Sequence, residues 1–134
     1  MSSTATPPTA PSGLRRVGQI AIVVQDLDRA VRFYRDTLGL PFLFQAPPNL
    51  AFFDCGGVRL MLTLPEGPEA GRGTSIVYYV VDDIQAAYGT LRARGVDFLS
   101  PPSLVARMPD HDLWMAAYRD GEGNVLELMS EVRR

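Results

Sequence analysis

The chain has 134 residues, of which 46% are apolar and 21% are charged, and its formal net charge is −2. This composition predicts one globular domain with its own core. All basic side chains except the single His are Arg, scattered along the chain, so we expect no nucleic-acid partner. No apolar run reaches membrane-spanning length, which excludes a membrane partner. The lone Cys55 and the absence of a secretory signal predict a reducing, cytoplasmic location.

The first half of the chain predicts a strand, a helix and three further strands. Residues 1–13 are rich in Ser, Thr and Pro and predict a flexible tail. A β-branched run predicts a strand over 17–24, Asp26 is a candidate N-cap, and apolar residues at helical spacing follow as far as Gly39. The remaining strands are predicted over 42–45, 50–54 and 58–63, with a tight turn between the last two.

The second half repeats this order after a segment rich in Gly and Pro, 65–73, which predicts a linker. A strand is predicted over 75–81, Asp83 is a candidate N-cap, and Gly95 ends the helix. Further strands are predicted over 96–99, 104–106, 112–119 and 125–129, with a charged end at 131–134.

The two halves are copies of one β-α-β-β-β module. The first strand and helix recur at an offset of 57 residues, so that Asp26 matches Asp83. The final hairpin recurs at an offset of 66, which places Phe52 against Tyr118. The fold class is therefore α+β, with a first module at 14–64 and a second at 74–134 that together form one domain.

Each module has one helix to cover one face of its sheet, and the opposite faces are expected to curl into a cleft. Strand alternation assigns the residues to the two faces. The predicted helix-facing residues are Ile20, Ile22, Val24, Leu60, Leu62, Val77, Tyr79, Val81, Leu126 and Leu128. The predicted cleft-facing residues are Gln19, Ala21, Val23, Arg59, Met61, Thr63, Ile76, Tyr78, Val80, Val125, Glu127 and Met129.

Three motifs carry a family resemblance that covers most of 17–130. They are Ile-Val-Val-x-Asp-Leu-Asp-x-Ala-x-x-Phe-Tyr-x-x-x-Leu-Gly-Leu ending at Leu40, Val81-Asp-Asp-Ile84, and Asp120-Gly-Glu-Gly-Asn124 followed by Leu-Glu-Leu. With them the chain resembles the vicinal oxygen chelate superfamily of glyoxalase I, bleomycin resistance proteins and extradiol dioxygenases. The resemblance implies a homodimer in which the modules complete a barrel-like cleft, within one chain or across the subunit interface.

The resemblance also implies a metal position on the first and last strand of each module. Here the four positions hold Gln19, Met61, Ile76 and Glu127, so only Gln19 and Glu127 retain a ligand donor. A divalent cation in such a site needs several nitrogen or oxygen ligands, and Ile offers none. We therefore expect no metal cofactor of the ordinary family kind.

Three residues are candidates for catalysis. Glu127 lies on an apolar cleft wall, where desolvation would raise its pKa and suit it to act as a general base, although a plain wall position explains it too. Gln19 would orient Glu127 or bind a substrate oxygen. His111, the only His, precedes a strand and would reach over the cleft as an acid, a base or an extra ligand, or else lie in a solvated turn.

Six residues are candidates for ligand binding. Arg59 would clamp a ligand carboxylate or phosphate, or extend into water. Met61 and Ile76 would line an apolar floor. Tyr78, Trp114 and Tyr118 would stack on a flat ligand, with core packing as the alternative, above all for Tyr118.

Two functions fit these residues. In the first, the protein is a lyase or isomerase of a small oxygenated molecule, with a degenerate metal site, and dioxygenase-type chemistry belongs to the same family range. In the second, it is a binding protein that sequesters an antibiotic or metabolite without catalysis. Retention of Gln19 and Glu127 favours the first function, whereas the apolar Met61 and Ile76 favour the second.

Overall fold

The computed structural model describes residues 13, 16–65 and 75–134. The predicted tail and linker lie almost wholly outside the described residues. The first-half elements are β1 (Gln19–Val23), α1 (Leu27–Val31, continued by a π-helical segment, Arg32–Thr37), β2 (Phe42–Ala46), β3 (Leu50–Cys55) and β4 (Val58–Thr63). The second-half elements are β5 (Val77–Val80), α2 (Ile84–Ala93), β6 (Asp97–Phe98), β7 (Ser103–Arg107), β8 (His111–Arg119) and β9 (Val125–Arg133).

Both helices begin and end at the predicted residues. The carboxylates of Asp26 and Asp83 accept hydrogen bonds from backbone N–H groups three residues later, at 3.0 and 3.1 Å, which makes both residues N-caps. Gly39 and Gly95 follow the helices with φ of 78° and 89°, a region that favours glycine. In the described part of the chain, neither helix is long and apolar enough to cross a bilayer.

Each module builds its own sheet and covers it with its own helix. The strand order is β1-β4-β3-β2 in the first sheet and β5-β9-β8-β6 in the second, where β7 also pairs with β8. The first and last strands of each module pair in parallel, and the other pairs are antiparallel. Helix α1 contacts β3 and β4, and α2 contacts β8 and β9. The two-module α+β prediction is therefore confirmed.

The alternation predicted for the two sheet faces is confirmed. Every predicted helix-facing residue is buried or half-buried, and every predicted cleft-facing residue is exposed or half-exposed. The helix-facing side chains of both modules join one hydrophobic core, in which Tyr34, Phe53, Leu62 and Leu126 are almost fully buried. The opposite face of each sheet, which we call its open face, lies outside this core and is the place to look for a ligand.

The structure corrects the repeat in the final hairpin. Tyr118 pairs with Leu126, just as Phe53 pairs with Leu60, so Tyr118 is the counterpart of Phe53 and not of Phe52. Tyr118 and Leu126 are eight positions apart and Phe53 and Leu60 only seven, so the second hairpin has one extra residue between equivalent pairs, which shifts this strand of the repeat by one position. A one-residue shift reverses the face to which each side chain of the strand belongs.

The last strand is longer than the sequence pattern predicts. The segment at 131–134 was expected to be a charged end, but β9 continues to Arg133, which pairs with His111. His111 accordingly lies in β8 and not in a turn before it. The backbone pairing of β8 with β9 continues through this charged segment, because the charged side chains can extend into water.

Candidate functional site

The open face of the first module carries its polar groups on neighbouring strands. Gln19 on β1 and Arg59 on β4 are paired residues, so their side chains leave the sheet on the same side. The Gln19 Nε2 atom lies 3.7 Å from the sulfur of Met61, which is a weak acceptor. The Gln19 amide is therefore available to a better acceptor on a ligand.

The open face of the second module carries a carboxylate in apolar surroundings. Glu127 on β9 lies between Tyr78 on β5 and Ala117 on β8, and Met129 follows it on the same face. Burial among these neighbours raises the pKa of Glu127 above its ordinary value. The direction agrees with the sequence prediction and suits a group that takes up a proton.

Gln19 and Glu127 are not hydrogen-bonded to each other in the described part of the chain. Gln19 lies against Met61, and Glu127 pairs with Tyr78. Ile76 has no donor atom, and no group of three or more His, Cys, Asp or Glu side chains in the described ranges is placed to hold a metal ion. These residues do not fit the metal centre that the family resemblance implies.

His111 lies at the far end of the β8–β9 hairpin. Its Nδ1 is 2.7 Å from an oxygen of Asp110, and its Nε2 is 3.8 Å from an oxygen of Glu131. Its strand partner, Arg133, is six positions from Glu127 along β9, a distance of about 20 Å in an extended strand. Within one chain, His111 is therefore far from Glu127, and its role as an acid, a base or an extra ligand stays a prediction.

Two of the three aromatic residues predicted to stack on a ligand lie on the core side. Tyr118 is 1% exposed and packs against Phe98, with ring centres 5.2 Å apart. Trp114 pairs with the buried Ser130 and packs against the core. Of the two roles considered for these residues, stacking on a ligand and core packing, the structure supports packing. Tyr78, which is 44% exposed, remains on the open face.

The sequence prediction missed two aromatic residues on the first open face. Phe52 pairs with Met61, and Phe44 pairs with Phe52, so both rings lie on the side of Arg59 and Gln19. The Arg59 guanidinium carbon lies 5.4 Å from the centre of the Phe52 ring. The tight turn at Gly56 would have revealed Phe52, because a hairpin closed there places it opposite Met61.

The turn between β8 and β9 forms a contact between the modules that the motif did not reveal. The Glu122 carboxylate, whose side chain is fully buried, accepts backbone hydrogen bonds from Gln25 at 2.7 Å and Asp26 at 2.9 Å and pairs with Arg29 at 2.5 Å. It thereby binds the N-terminus of α1 in the other module. We call this turn, Asp120 to Asn124, the module clamp.

The module clamp has a second buried carboxylate, Asp120. It accepts a hydrogen bond of 2.7 Å from the Tyr34 hydroxyl of the first module and others from within the turn. The Asn124 side chain donates to the Val23 carbonyl at 3.0 Å. All of these groups are satisfied, so the motif residues at 120–124 hold the modules together and do not line an open face.

A groove of about 550 Å³ lies between the modules. Its walls are mainly apolar and include Leu40, Leu60, Val77 and Tyr79. Tyr78 is the one predicted ligand-binding residue on its lining, and neither Gln19, Glu127 nor Arg59 belongs to it. The Tyr79 hydroxyl is buried and has no hydrogen-bond partner in the described part of the chain.

The paired β-α-β-β-β modules with open sheet faces define the fold class of this chain. A sequence model of the Glyoxalase/Bleomycin resistance protein/Dioxygenase superfamily matches residues 16–128. The chain belongs to this superfamily, which confirms the resemblance. Membership alone does not determine an activity, because one fold hosts many functions.

Individual relatives agree with this assignment. The uncharacterised protein YraH of Bacillus subtilis (strain 168) is 29% identical over 126 residues, which cover 82% of this chain and 94% of that protein. The crystal structure of a superfamily member from Sphaerobacter thermophilus DSM 20745 matches with a TM-score of 0.71 at 31% identity, over 88% and 98% of the two chains. A lactoylglutathione lyase from Agrobacterium tumefaciens shares the fold, with a TM-score of 0.65 at 24% identity over 93% and 96%.

Proposed function

We propose that the protein binds a small organic molecule between its open sheet faces and acts on it as a lyase or isomerase, with Glu127 as the general base. The observation that carries this proposal is the half-buried Glu127 carboxylate, whose pKa is raised by burial among apolar neighbours. Such a carboxylate accepts a proton from a carbon or hydroxyl group of a bound substrate more readily than a solvated one does.

The other polar residues of the open faces bind and orient the substrate in this proposal. The Gln19 amide donates to a substrate oxygen, because the sulfur of Met61 beside it is a weak acceptor. Arg59 anchors a negatively charged group of the substrate. Among the described residues, neither Gln19 nor Arg59 is hydrogen-bonded to Glu127. An arrangement with the two open faces opposite each other would place all three residues around one substrate.

A homodimer supplies that arrangement. Ile76, Tyr78 and Val80 of the second open face are 43%, 44% and 73% exposed, and Phe44 of the first is 46% exposed. A row of large apolar side chains on a sheet face is typical of a surface that another protein surface or a ligand covers. We propose that the first face of one subunit closes over the second face of its partner, giving two sites in the dimer.

The chemistry proposed here uses no resident metal ion. Of the four implied ligand positions, Met61 offers only a soft thioether and Ile76 offers no donor. A Gln and a single Glu fall short of the three protein ligands that catalytic zinc sites use. Metal analysis of untagged protein tests this point, and stoichiometric Zn, Ni, Mn or Fe would contradict it.

A second candidate function is sequestration of a ligand without turnover. The observation in its favour is that two of the four implied metal positions hold apolar side chains, Met61 and Ile76. These side chains extend an apolar binding surface and cannot form a metal centre for catalysis. In that case Glu127 would act only as a hydrogen-bonding group in the wall of the binding site.

One experiment separates the two functions. A thermal-shift screen of thioesters, hydroxy acids and glycopeptide antibiotics identifies a ligand, and Glu127→Gln is then compared with the wild type for binding and turnover. We expect the variant to keep binding within about tenfold and to lose turnover by at least about a hundredfold, the usual contribution of a general base. Binding without turnover by the wild-type protein would support sequestration, and turnover unchanged in the variant would exclude Glu127 as the base.

A further inference from the structure

Arg59 is held in a stacked position on the first open face. Its guanidinium carbon lies 5.4 Å from the centre of the Phe52 ring, a distance at which a cation is attracted to an aromatic face. Phe52 is itself 8% exposed, so the ring is a fixed support. A guanidinium over a ring face retains N–H groups that the ring does not use, and a ligand can accept hydrogen bonds from them.

This cation has no anionic partner among the described residues. Asp54 is the strand partner of Arg59, but its carboxylate accepts the backbone N–H of Gly57 at 3.1 Å and does not reach the guanidinium. Six other arginines of the described ranges have a carboxylate within 4.0 Å, whereas four, Arg16, Arg32, Arg92 and Arg94, resemble Arg59 in having none; the six are Arg29, Arg35, Arg107, Arg119, Arg133 and Arg134. The charge of Arg59 is therefore available to a ligand.

An exposed aromatic ring lies beside the stacked pair. The centres of the Phe44 and Phe52 rings are 4.7 Å apart, with an angle of 32° between the ring planes. The guanidinium of Arg59 and the ring of Phe44 thus share Phe52 as a common neighbour on one face. Phe44 is about half exposed and offers an unoccupied surface on which a flat group can stack.

The second open face lacks these groups and cannot bind the same part of a ligand. The positions that correspond to Gln19 and Arg59 in the repeat are Ile76 and Val125, and both are apolar. The charged residue at the centre of that face is the acidic Glu127, which repels an anion. The distribution of charge therefore fixes which end of a ligand meets which module.

We propose that the ligand of this site is a planar organic acid with one negative charge, an aryl or enoyl carboxylate. Its carboxylate binds the Arg59 guanidinium and the neighbouring Gln19 amide, and its flat part stacks on Phe44. Arg and carboxylate match as a two-pronged hydrogen-bonded pair, and a single cation matches a single charge. This inference rests on the proposed function, because it names the class of ligand for the same site.

Three matched probes test the inference by calorimetric titration of the full chain. Cinnamate is planar and anionic, cinnamyl alcohol is planar and neutral, and 3-cyclohexylpropanoate is anionic without a flat ring. We expect cinnamate to bind tightest, the alcohol at least about tenfold more weakly because it cannot pair with the guanidinium, and the cyclohexyl acid several-fold more weakly because it cannot stack.

Substitutions of Arg59 and Phe44 test the ion pair and the stacking contact separately. Arg59→Met should weaken cinnamate binding by at least about tenfold and leave the alcohol unchanged, and Arg59→Lys should recover part of the loss because it keeps the charge but not the planar fork. Phe44→Ala should weaken both planar probes by a similar factor. Arg92→Met is the matched control, because Arg92 is stacked on Tyr88 at the same 5.4 Å but belongs to helix α2, and it should change nothing.

Several results would overturn the inference. These are equal affinity for cinnamate and cinnamyl alcohol, an equal loss in the Arg59→Met and Arg92→Met variants, or no binding of any probe to protein whose circular dichroism spectrum is native. The proposed function is judged separately. A neutral or cationic ligand from the thermal-shift screen whose turnover depends on Glu127 would sustain that function while refuting the planar acid.

Discussion

Glu127 shows how a single residue changes its chemistry with its neighbours. A solvated Glu at an exposed strand end keeps its ordinary chemistry. Burial of Glu127 beside Tyr78 and Met129 instead disfavours its charged form. Because the folded state holds the proton more tightly than the unfolded chain does, ionisation of Glu127 costs stability as the pH rises above the ordinary carboxyl value. The residue is thus a site where function and stability oppose each other.

The raised pKa of Glu127 leads to a prediction for the stability of Glu127→Gln. The variant should be more stable than the wild type at neutral pH, and the difference should disappear as the pH falls below the ordinary carboxyl pKa, where Glu127 is protonated in both states. Urea unfolding measured from pH 4 to pH 7.5 checks it. Glu131→Gln, at the exposed end of the same strand, is the control, and a Glu127→Gln variant that is less stable at neutral pH would contradict the prediction.

For single residues, the sequence was sufficient to predict the face of the sheet where strand alternation alone decides it. The faces of β1, β4, β5 and β9 were predicted correctly, because the side-chain period of a strand is two and each apolar run has a clear phase. The stacking role considered for Trp114 and Tyr118 would require the open face, but both lie on the core side. Their face depends on the length of the connection to β9, and equivalent pairs are eight positions apart in that hairpin instead of seven, which composition does not reveal.

The module clamp is the element that most affects stability. Glu122 satisfies two backbone N–H groups at the N-terminus of α1, and its own charge is balanced by Arg29. Burial of the carboxylate opposes ionisation, but the hydrogen bonds from Arg29, Asp26 and Gln25 outweigh it, so the pKa of Glu122 lies below its ordinary value. This contribution to stability is present above the ordinary carboxyl pKa and is lost as the pH falls through the lowered value.

We predict that Glu122→Ala destabilises the protein by about 3 kcal/mol at neutral pH, because it leaves buried N–H donors without an acceptor. The free energy of urea unfolding measures the effect. The difference in unfolding free energy between the variant and the wild type should become smaller in acid, where the wild-type carboxylate also loses its charge. Glu131→Ala, an exposed carboxylate on β9, should change the stability by less than about 0.5 kcal/mol; a similar loss in both variants would argue against the clamp.

The elements themselves were largely predictable, with two instructive exceptions. Both helices were predictable because their start and stop signals are local. These signals are the capping residues Asp26 and Asp83 and the terminal Gly39 and Gly95. The π-helical segment after Val31 left no recognisable signal in the sequence. The extension of β9 to Arg133 depends on its pairing with β8, and this pairing cannot be predicted from the charged sequence of the segment itself.

At the scale of the whole molecule, the open faces predict self-association. The proposed dimer buries the apolar row that includes Val80, so Val80→Asp should convert the dimer to a monomer by placing a charge in the interface. Sedimentation velocity gives the oligomeric state directly. Leu99→Asp, an exposed apolar residue between β6 and β7, is the control and should leave association unchanged. A wild-type protein that sediments as a monomer at micromolar concentration would contradict the proposed dimer.

The internal repeat allowed the architecture of the whole molecule to be predicted, but not the contact between its modules. The two offsets, 57 and 66 residues, imply that the parallel pairing in the second module spans nine more residues than in the first, and the observed pairs of Gln19 with Arg59 and Tyr78 with Glu127 agree. The contact through Glu122 has no counterpart in the first module. A repeat describes what the modules share, and their junction depends on residues that only one of them has.

The position of Glu122 in the chain has a consequence for synthesis on the ribosome. The helix N-terminus at Gln25 and Asp26 is made early, but the carboxylate that accepts its N–H groups follows 97 residues after Gln25. The first module therefore leaves the ribosome before the acceptor for its helix terminus exists. Although each module has its own helix and sheet, the contact between them can form only after β8 of the second module has been made.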